Sequence, residues 1–315
     1  MRIVTVGGGT GISTLLKGLK QFREIELTAV VTVTDEGGSS GIIREEYSVP
    51  PPGDIRNNLV ALAKDEEILG KLFNYRFSNG FLSGHTVGNI ILTALSKITG
   101  SFTKAIELTS EVLAIEGTVL PVSESLIRLV AVYDDGTISV GEKEIMNQKR
   151  KKIVNIYIDK PDVFILPDTK DALENADVIV FGPGSLYTSI VSNIIVNGFR
   201  EAVRKNKRAK IVFVANLMTQ SSETYNLTLS EHVKIVEKYL KREMDIIIVS
   251  SSKIPEEILK SYEKENSIPV KIDMNDQRVI ATDLCDIIKD VDGRLKLRHD
   301  PDKIAKVILE HVRRY

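Results

Sequence analysis

The chain begins Met1-Arg2-Ile3-Val4-Thr5-Val6-Gly7-Gly8-Gly9-Thr10-Gly11-Ile12-Ser13, a short apolar and β-branched run that stops in glycine. Such a run reads as a buried strand. Leu15, Leu16 and Leu19 then form an apolar stripe, which predicts a helix from about Ser13 to Phe22. The glycines between strand and helix allow positive φ and a close backbone approach to a ligand. The helix start adds unpaired N–H groups and a positive dipole end, which favour a bound phosphate. The spacing matches neither standard phosphate motif. Counting six from Gly7 reaches Ile12, and from Gly9 reaches Thr14, so the dinucleotide fingerprint lacks its last glycine. No Lys-Ser/Thr pair follows Gly11, as a P-loop requires.

The strand–helix rhythm recurs along the chain. Leu27–Thr34 is almost continuously apolar or β-branched, the pattern of a strand covered on both faces. Helices are expected over Asp54–Lys64, Glu66–Phe77 and Val87–Leu95. The middle changes character: Thr118–Val122, Leu126–Tyr133 and Thr137–Val140 read as strands, with a hairpin turn at Asp134-Asp135-Gly136. Residues 117–165 are therefore expected to form a β-rich insertion. Within it, Lys149–Lys152 reads as a solvated turn. Alternation resumes with helices at Asp168–Asn175, Asn197–Lys205, Ser230–Lys241 and Lys303–Val312, and strands at Asp177–Phe181, Lys210–Ala215 and Asp245–Ser250. This pattern predicts an α/β, Rossmann-like, doubly wound and mostly parallel sheet, folded as one domain over residues 1–315.

Composition narrows the function. The 42 Lys+Arg against 43 Asp+Glu leave no basic footprint for nucleic acid. No apolar stretch approaches 18 residues, so no membrane insertion is expected. The first residues lack a signal-peptide pattern, and a cytoplasmic location is expected. The single Cys285 reads as a small apolar residue, not a redox or metal group.

Four further turns carry polar groups. After the second strand come Asp35-Glu36-Gly37-Gly38-Ser39-Ser40-Gly41 and then Arg44. An acidic residue at such a strand end meets a ribose hydroxyl or a hydrated cation, here Mg²⁺ at Asp35, while Arg44 can pair with a phosphate. Pro52-Gly53-Asp54 suits Asp54 as a helix N-cap, with Arg56 and Asn57 one turn on as a site wall. Gly84-His85-Thr86-Val87-Gly88-Asn89 places His85 among small and amide residues, where structural and functional roles fit equally. Gly182-Pro183-Gly184-Ser185, followed by Thr188, is a second glycine turn opening a helix. Asn216–Gln220 adds amides and hydroxyls on the same sheet edge. Two glycine turns after parallel strands are what a crevice at the sheet's carboxyl edge requires.

Read together, GGGTGIS, VTVTDEGGSSGIIREE, PPGDIRNNLVALA, FNYRFSNGFLSGHTVGN, GPGSLYTSI and NLMTQSSET resemble the gluconeogenesis factor (YvcK) family. That family is similar in fold to the CofD 2-phospho-L-lactate transferases. The resemblance implies a cytoplasmic, dimeric binder of UDP-sugars such as UDP-glucose and UDP-N-acetylglucosamine. It further implies support of cell shape and wall synthesis during gluconeogenic growth, with a wall-synthesis protein as partner. Carried onto this chain, the site comprises Gly8, Gly9, Thr10, Gly11, Asp35, Gly37, Gly38, Ser39, Ser40, Asp54, Asn57, His85, Asn89, Gly184 and Ser185. Tyr262 and Arg298 match positions that contact the nucleotide sugar. The family usually has Asp where this chain has Glu36, and often Cys where it has Asn58. The competing expectation is a Mg²⁺-dependent, nucleotide-linked transferase of the 2-phospho-L-lactate type, with Asp35, Asp54 and His85 as candidate acid/base groups. An NAD-dependent dehydrogenase is disfavoured by the failed fingerprint.

Overall fold

The computed structural model describes residues 1–65, 67–289 and 293–313. Among these, seven parallel strands build the main sheet: β1 (Arg2–Gly7), β2 (Glu26–Val31), β3 (Thr118–Pro121), β7 (Val178–Phe181), β8 (Lys210–Val214), β9 (Ile246–Ser250) and β10 (Val279–Thr282). Three more, β4 (Leu129–Tyr133), β5 (Ile138–Val140) and β6 (Ile153–Ile158), form an antiparallel sheet in the order β5-β4-β6. The last two, β11 (Cys285–Lys289) and β12 (Leu295–His299), form a separate antiparallel pair.

Main-sheet order is β10-β9-β8-β7-β1-β2-β3. The chain winds outward from β1 through β2 and β3, returns, and winds the other way from β7. The order thus reverses between β1 and β7, where a doubly wound sheet opens its ligand crevice. Strand periodicity divides the core in two. Val4, Val6, Ile179, Phe181, Ile211 and Phe213 face one layer, shared with the β4–β6 sheet and the helices Pro167–Asn175 and Leu229–Leu240. Ile3, Ala29, Val178, Val180, Val212 and Val214 face the other, under the helices Thr10–Leu19, Gly53–Leu62, Phe102–Leu113 and Pro301–Val312.

Several boundaries differ from the sequence reading. The expected insertion over 117–165 begins later, because Thr118–Pro121 pairs in parallel with β2 and closes the main sheet. The first helix starts at Thr10, inside the glycine turn. A Cβ on Gly11 would overlap the Pro183 carbonyl, so glycine lets this helix end approach the second glycine turn. The expected Glu66–Phe77 helix spans Leu69–Asn74, and its start at Glu66 lies outside the described residues. Helix Leu229–Leu240 is capped by Thr228 and Glu231 as a full capping box, with the N-cap at Thr228 rather than at Ser230 as expected. Several elements escaped the sequence reading: helices Gly38–Tyr47, Phe102–Leu113 (capped by Ser101) and Glu142–Asn147, strand β10, and the β11–β12 pair. Cys285 begins β11 half-buried.

Candidate functional site

The loops after β1, β2, β7 and β8 all leave the carboxyl edge of the sheet and enclose one cavity of about 360 Å³. Gly8, Gly9, Thr10 and Gly11 form one wall, and Pro183, Gly184 and Ser185 the facing one. The first four N–H groups of a helix have no partner in the preceding turn, so the start of Thr10–Leu19 presents donors here. The facing turn is held from behind. Asn216 Oδ1 accepts from Gly184 N at 2.9 Å, and Asn216 Nδ2 donates to Gly184 O at 2.8 Å. Gln220 Nε2 donates to Ser185 Oγ at 2.8 Å.

Beyond Ser185 the chain forms a π-helix, Leu186–Val191. Its open end is satisfied by buried Glu223, which accepts from Tyr187 N (2.7 Å), Thr188 N (3.3 Å) and Thr188 Oγ1 (2.7 Å). Burial raises the Glu223 carboxyl above the ordinary range, against the pull of these bonds. The winding turns Ser189 into the cavity and Thr188 away from it.

Three carboxyls share the cavity: Asp35, Asp54 and Glu142. Asp54 lies beneath the first glycine turn, where side chains on Gly8 or Gly9 would collide with its carboxyl. It occupies the first turn of helix Gly53–Leu62 and makes no capping bond, so the expected N-cap role is corrected; the N-cap position falls at Pro52. Desolvation first, then the charge of Asp35, pushes Asp54 up to about 8, with Arg56 opposing. Glu142 arrives from the insertion, at the start of helix Glu142–Asn147. It is raised well above the ordinary carboxylate range by desolvation, then by Asp35, Asp54 and Glu223. Glu142 Oε2 accepts from Glu36 N at 3.2 Å. The Glu36 side chain faces the insertion: it pairs with Arg128 Nε at 2.9 Å and lies 3.8 Å from Arg44 Nη1.

The remaining wall comes from the far end of the chain. Tyr262 on helix Glu256–Glu263, and Leu297, Arg298 and His299 on β12, line the cavity. Tyr262 Oη accepts from Leu297 N at 2.9 Å, locking helix to strand. His299 is buried with its Nε2 unpartnered, and burial lowers it to about 4.

The cavity therefore brings together Gly8, Gly9, Thr10, Gly11, Asp35, Asp54, Gly184, Ser185, Tyr262 and Arg298. The other expected site residues lie elsewhere. Gly37 caps helix Gly38–Tyr47 through its backbone, and Gly38, Ser39 and Ser40 form its first turn. Ser39 Oγ bonds His85 Nδ1 at 3.0 Å and accepts from Asn89 Nδ2 at 3.1 Å, a cluster behind the cavity. Arg44 donates to Ile127 O at 2.6 Å, fastening the insertion rather than facing a phosphate. Arg56 donates to Thr86 Oγ1 (2.7 Å) and Asn57 Oδ1 (2.5 Å), so both support the wall from outside. Thr14, Glu142, Ser189, Gln220 and His299 line the cavity without having been singled out as site residues. Gln220, within the polar stretch after β8, and Ser189, within the GPGSLYTSI run, stood in segments already marked by their residue types.

Among the described residues no three His, Cys, Asp or Glu side chains are arranged to hold a metal ion.

The family model described as 2-phospho-L-lactate transferase CofD matches residues 3–290. A Thermotoga maritima protein provisionally named a gluconeogenesis factor is 53% identical over 311 residues, covering 98% of both chains. The gluconeogenesis factor of Bacillus subtilis is 40% identical over 314 residues, covering 98% of this chain and 97% of that one. The chain belongs to the gluconeogenesis factor family. A crystal structure of a UPF0052 family protein from Bacillus halodurans superposes with a TM-score of 0.91 at 40% identity, over 98% of this chain and 99% of that one. The expected family and its CofD-like α/β fold are thereby established. Among the described residues no helix is long and apolar enough to cross a membrane.

Proposed function

We propose that this protein binds a UDP-sugar, of the UDP-glucose or UDP-N-acetylglucosamine kind, and acts as a cytoplasmic regulator of cell shape and wall synthesis during gluconeogenic growth. A homodimer and a wall-synthesis partner belong to the same proposal. One observation carries the ligand class: a glycine turn at a helix N-terminus, an arginine and a tyrosine face a single cavity at the switch point of the sheet. Helix-end amides suit a diphosphate, the Arg298 guanidinium can grip it, and the Tyr262 ring offers a face to a base. A regulatory role fits the placement of the hydrogen-bonded Ser39–His85 pair outside the cavity lining. The test is calorimetry with UDP-N-acetylglucosamine, GTP and NADH, where only the first should bind. Arg298→Ala should weaken that binding by about tenfold or more, roughly 1.4 kcal/mol, without changing the thermal midpoint. Tight NADH binding, or unchanged affinity in the variant, would overturn the reading.

One observation favours a second reading, a nucleotide-linked transferase. Asp54, pushed up to about 8, is poised to exchange a proton near neutral pH. Turnover of a nucleotide-activated substrate that Asp54→Asn abolishes while affinity survives would decide for it.

A further inference from the structure

The run Lys149-Arg150-Lys151-Lys152, expected to be a solvated turn, is held in place by the folded chain. Arg150 N donates to Ser221 O at 2.8 Å. Asn266 Oδ1 accepts from Arg150 Nε at 3.1 Å and also from its Nη2. The Arg150 guanidinium lies over the Tyr225 ring, 5.6 Å from its centroid. Lys151 Nζ pairs with Asp135 Oδ2 at 2.8 Å and lies 5.6 Å from the Tyr133 ring centroid. Arg150, Lys151 and Lys152 line a surface pocket of about 110 Å³, together with the apolar bodies of Tyr225, Leu227 and Ile235.

We infer that this pocket docks an acidic segment of a partner protein, which seats one apolar side chain inside and sets carboxylates against the basic rim. That role lies beyond the nucleotide-sugar reading and is independent of it, because the pocket shares no lining residue with the main cavity.

Charge selects the partner. Asp135 is the one carboxylate paired with the run among the described residues. Arg150 is held by a neutral amide and a ring, which leave its charge uncompensated. Lys149 and Lys152 are exposed and form no ion pair among the described residues. Glu223, also on the lining, is buried and spends its oxygens on Tyr187 N, Thr188 N and Thr188 Oγ1. The whole chain is balanced, with 42 Lys+Arg against 43 Asp+Glu, so this excess of positive charge is local.

Size and shape favour a segment over a small ligand. A drug-sized ligand needs roughly 300–1,000 Å³, whereas this pocket suits a single side chain. Lys149 lies outside the lining, so an occupant that meets Lys149, Arg150 and Lys152 together must extend over the surface. An apolar anchor pocket inside a charged rim is the anatomy of a docking hot spot, and basic clusters recognise acidic motifs. Fixing Arg150 beforehand lowers the ordering cost of binding.

The experiment is fluorescence anisotropy on the full chain with a labelled nine-residue peptide, phenylalanine at its centre and glutamate elsewhere. It should bind at least about tenfold more tightly than the same peptide with alanine at its centre, or with lysine in place of glutamate. Arg150→Ala combined with Lys152→Glu should weaken it by at least about tenfold. Lys152→Glu alone should weaken it in the same direction, and serves if the double variant does not fold. Lys306→Glu, at an exposed position of the helix Pro301–Val312 on the other layer, should leave the affinity unchanged. The inference is overturned if the acidic peptide does not bind at millimolar concentration, or if the alanine peptide binds equally. An equal loss in Lys306→Glu also overturns it, by showing attraction to net charge alone. Displacement of the peptide by equimolar pyrophosphate overturns it too, by giving the pocket to a small anion.

Discussion

Asp54 and Gly11 show how much turns on single side chains at this crevice. Asp54 is pushed up to about 8 in the folded chain, far above its ordinary value of 3.8. The folded state therefore holds this proton between those two values while the unfolded state releases it. Stability must fall as pH rises through that window, and the loss is complete above the folded value. Asp54→Asn is expected to raise stability at about pH 8 by upwards of about 1 kcal/mol, with a much smaller gain at about pH 4, read by urea unfolding at both. An equal gain at both pH values would contradict the assignment. At Gly11 the added methyl of Gly11→Ala would meet the backbone carbonyl of Pro183, which cannot swing aside. A loss of about 1–3 kcal/mol is expected, together with weaker nucleotide binding, because the two glycine turns must separate.

Elements position these residues through their ends. Helix Leu229–Leu240 starts at a capping box in which Thr228 and Glu231 satisfy each other's backbone N–H. Thr228→Ala is expected to lower stability by about 1 kcal/mol in denaturant unfolding, without altering ligand affinity, since this helix start lies outside the cavity lining. Helix Glu256–Glu263 and strand β12 are joined differently, by the bond from Leu297 N to Tyr262 Oη at 2.9 Å. Tyr262→Phe removes the acceptor while keeping the ring. A stability loss of about 1 kcal/mol with nucleotide affinity within about threefold is expected if the ring stacks, roughly 0.7 kcal/mol on the affinity scale. A large affinity loss would mean that the hydroxyl, by holding β12, sets the position of Arg298. The glycine turns and the Asp-Asp-Gly hairpin were legible because their signals are local. The β11–β12 pair was not: β11 is half-buried or exposed along its length, β12 buries Leu297 and His299 alone, and so short an alternation carries no clear core pattern.

In the molecule as a whole, both cores meet on the strands flanking the reversal of order, and β7 is buried along its whole length. Phe181, fully buried, packs edge-on against Phe199 with ring centroids 6.3 Å apart. Phe181→Ala is expected to destabilise the protein by about 3–5 kcal/mol, measurable as a lower denaturant midpoint, because the cavity it leaves lies among strands that cannot collapse inward. Strand alternation, the β-rich middle and the glycine turns after β1 and β7 could be read from residue order, since each depends on neighbours within one turn or one strand. Asp35, Asp54, Tyr262 and Arg298 were named in advance, the last two through family motifs alone. Glu142 and His299 were not, because nothing beside them in the chain distinguishes them from a surface carboxylate and a terminal-strand histidine. Their meaning comes from winding: the insertion folds back until Glu142 joins Asp35 in the cavity lining, and β12 returns until His299 joins the same lining. Local chemistry thus specified the sheet and its glycine-rich turns. The charge balance of the crevice, and so which ligand it can accept, arises from contacts between residues more than 100 positions apart, such as Glu36 with Glu142, which no local pattern encodes.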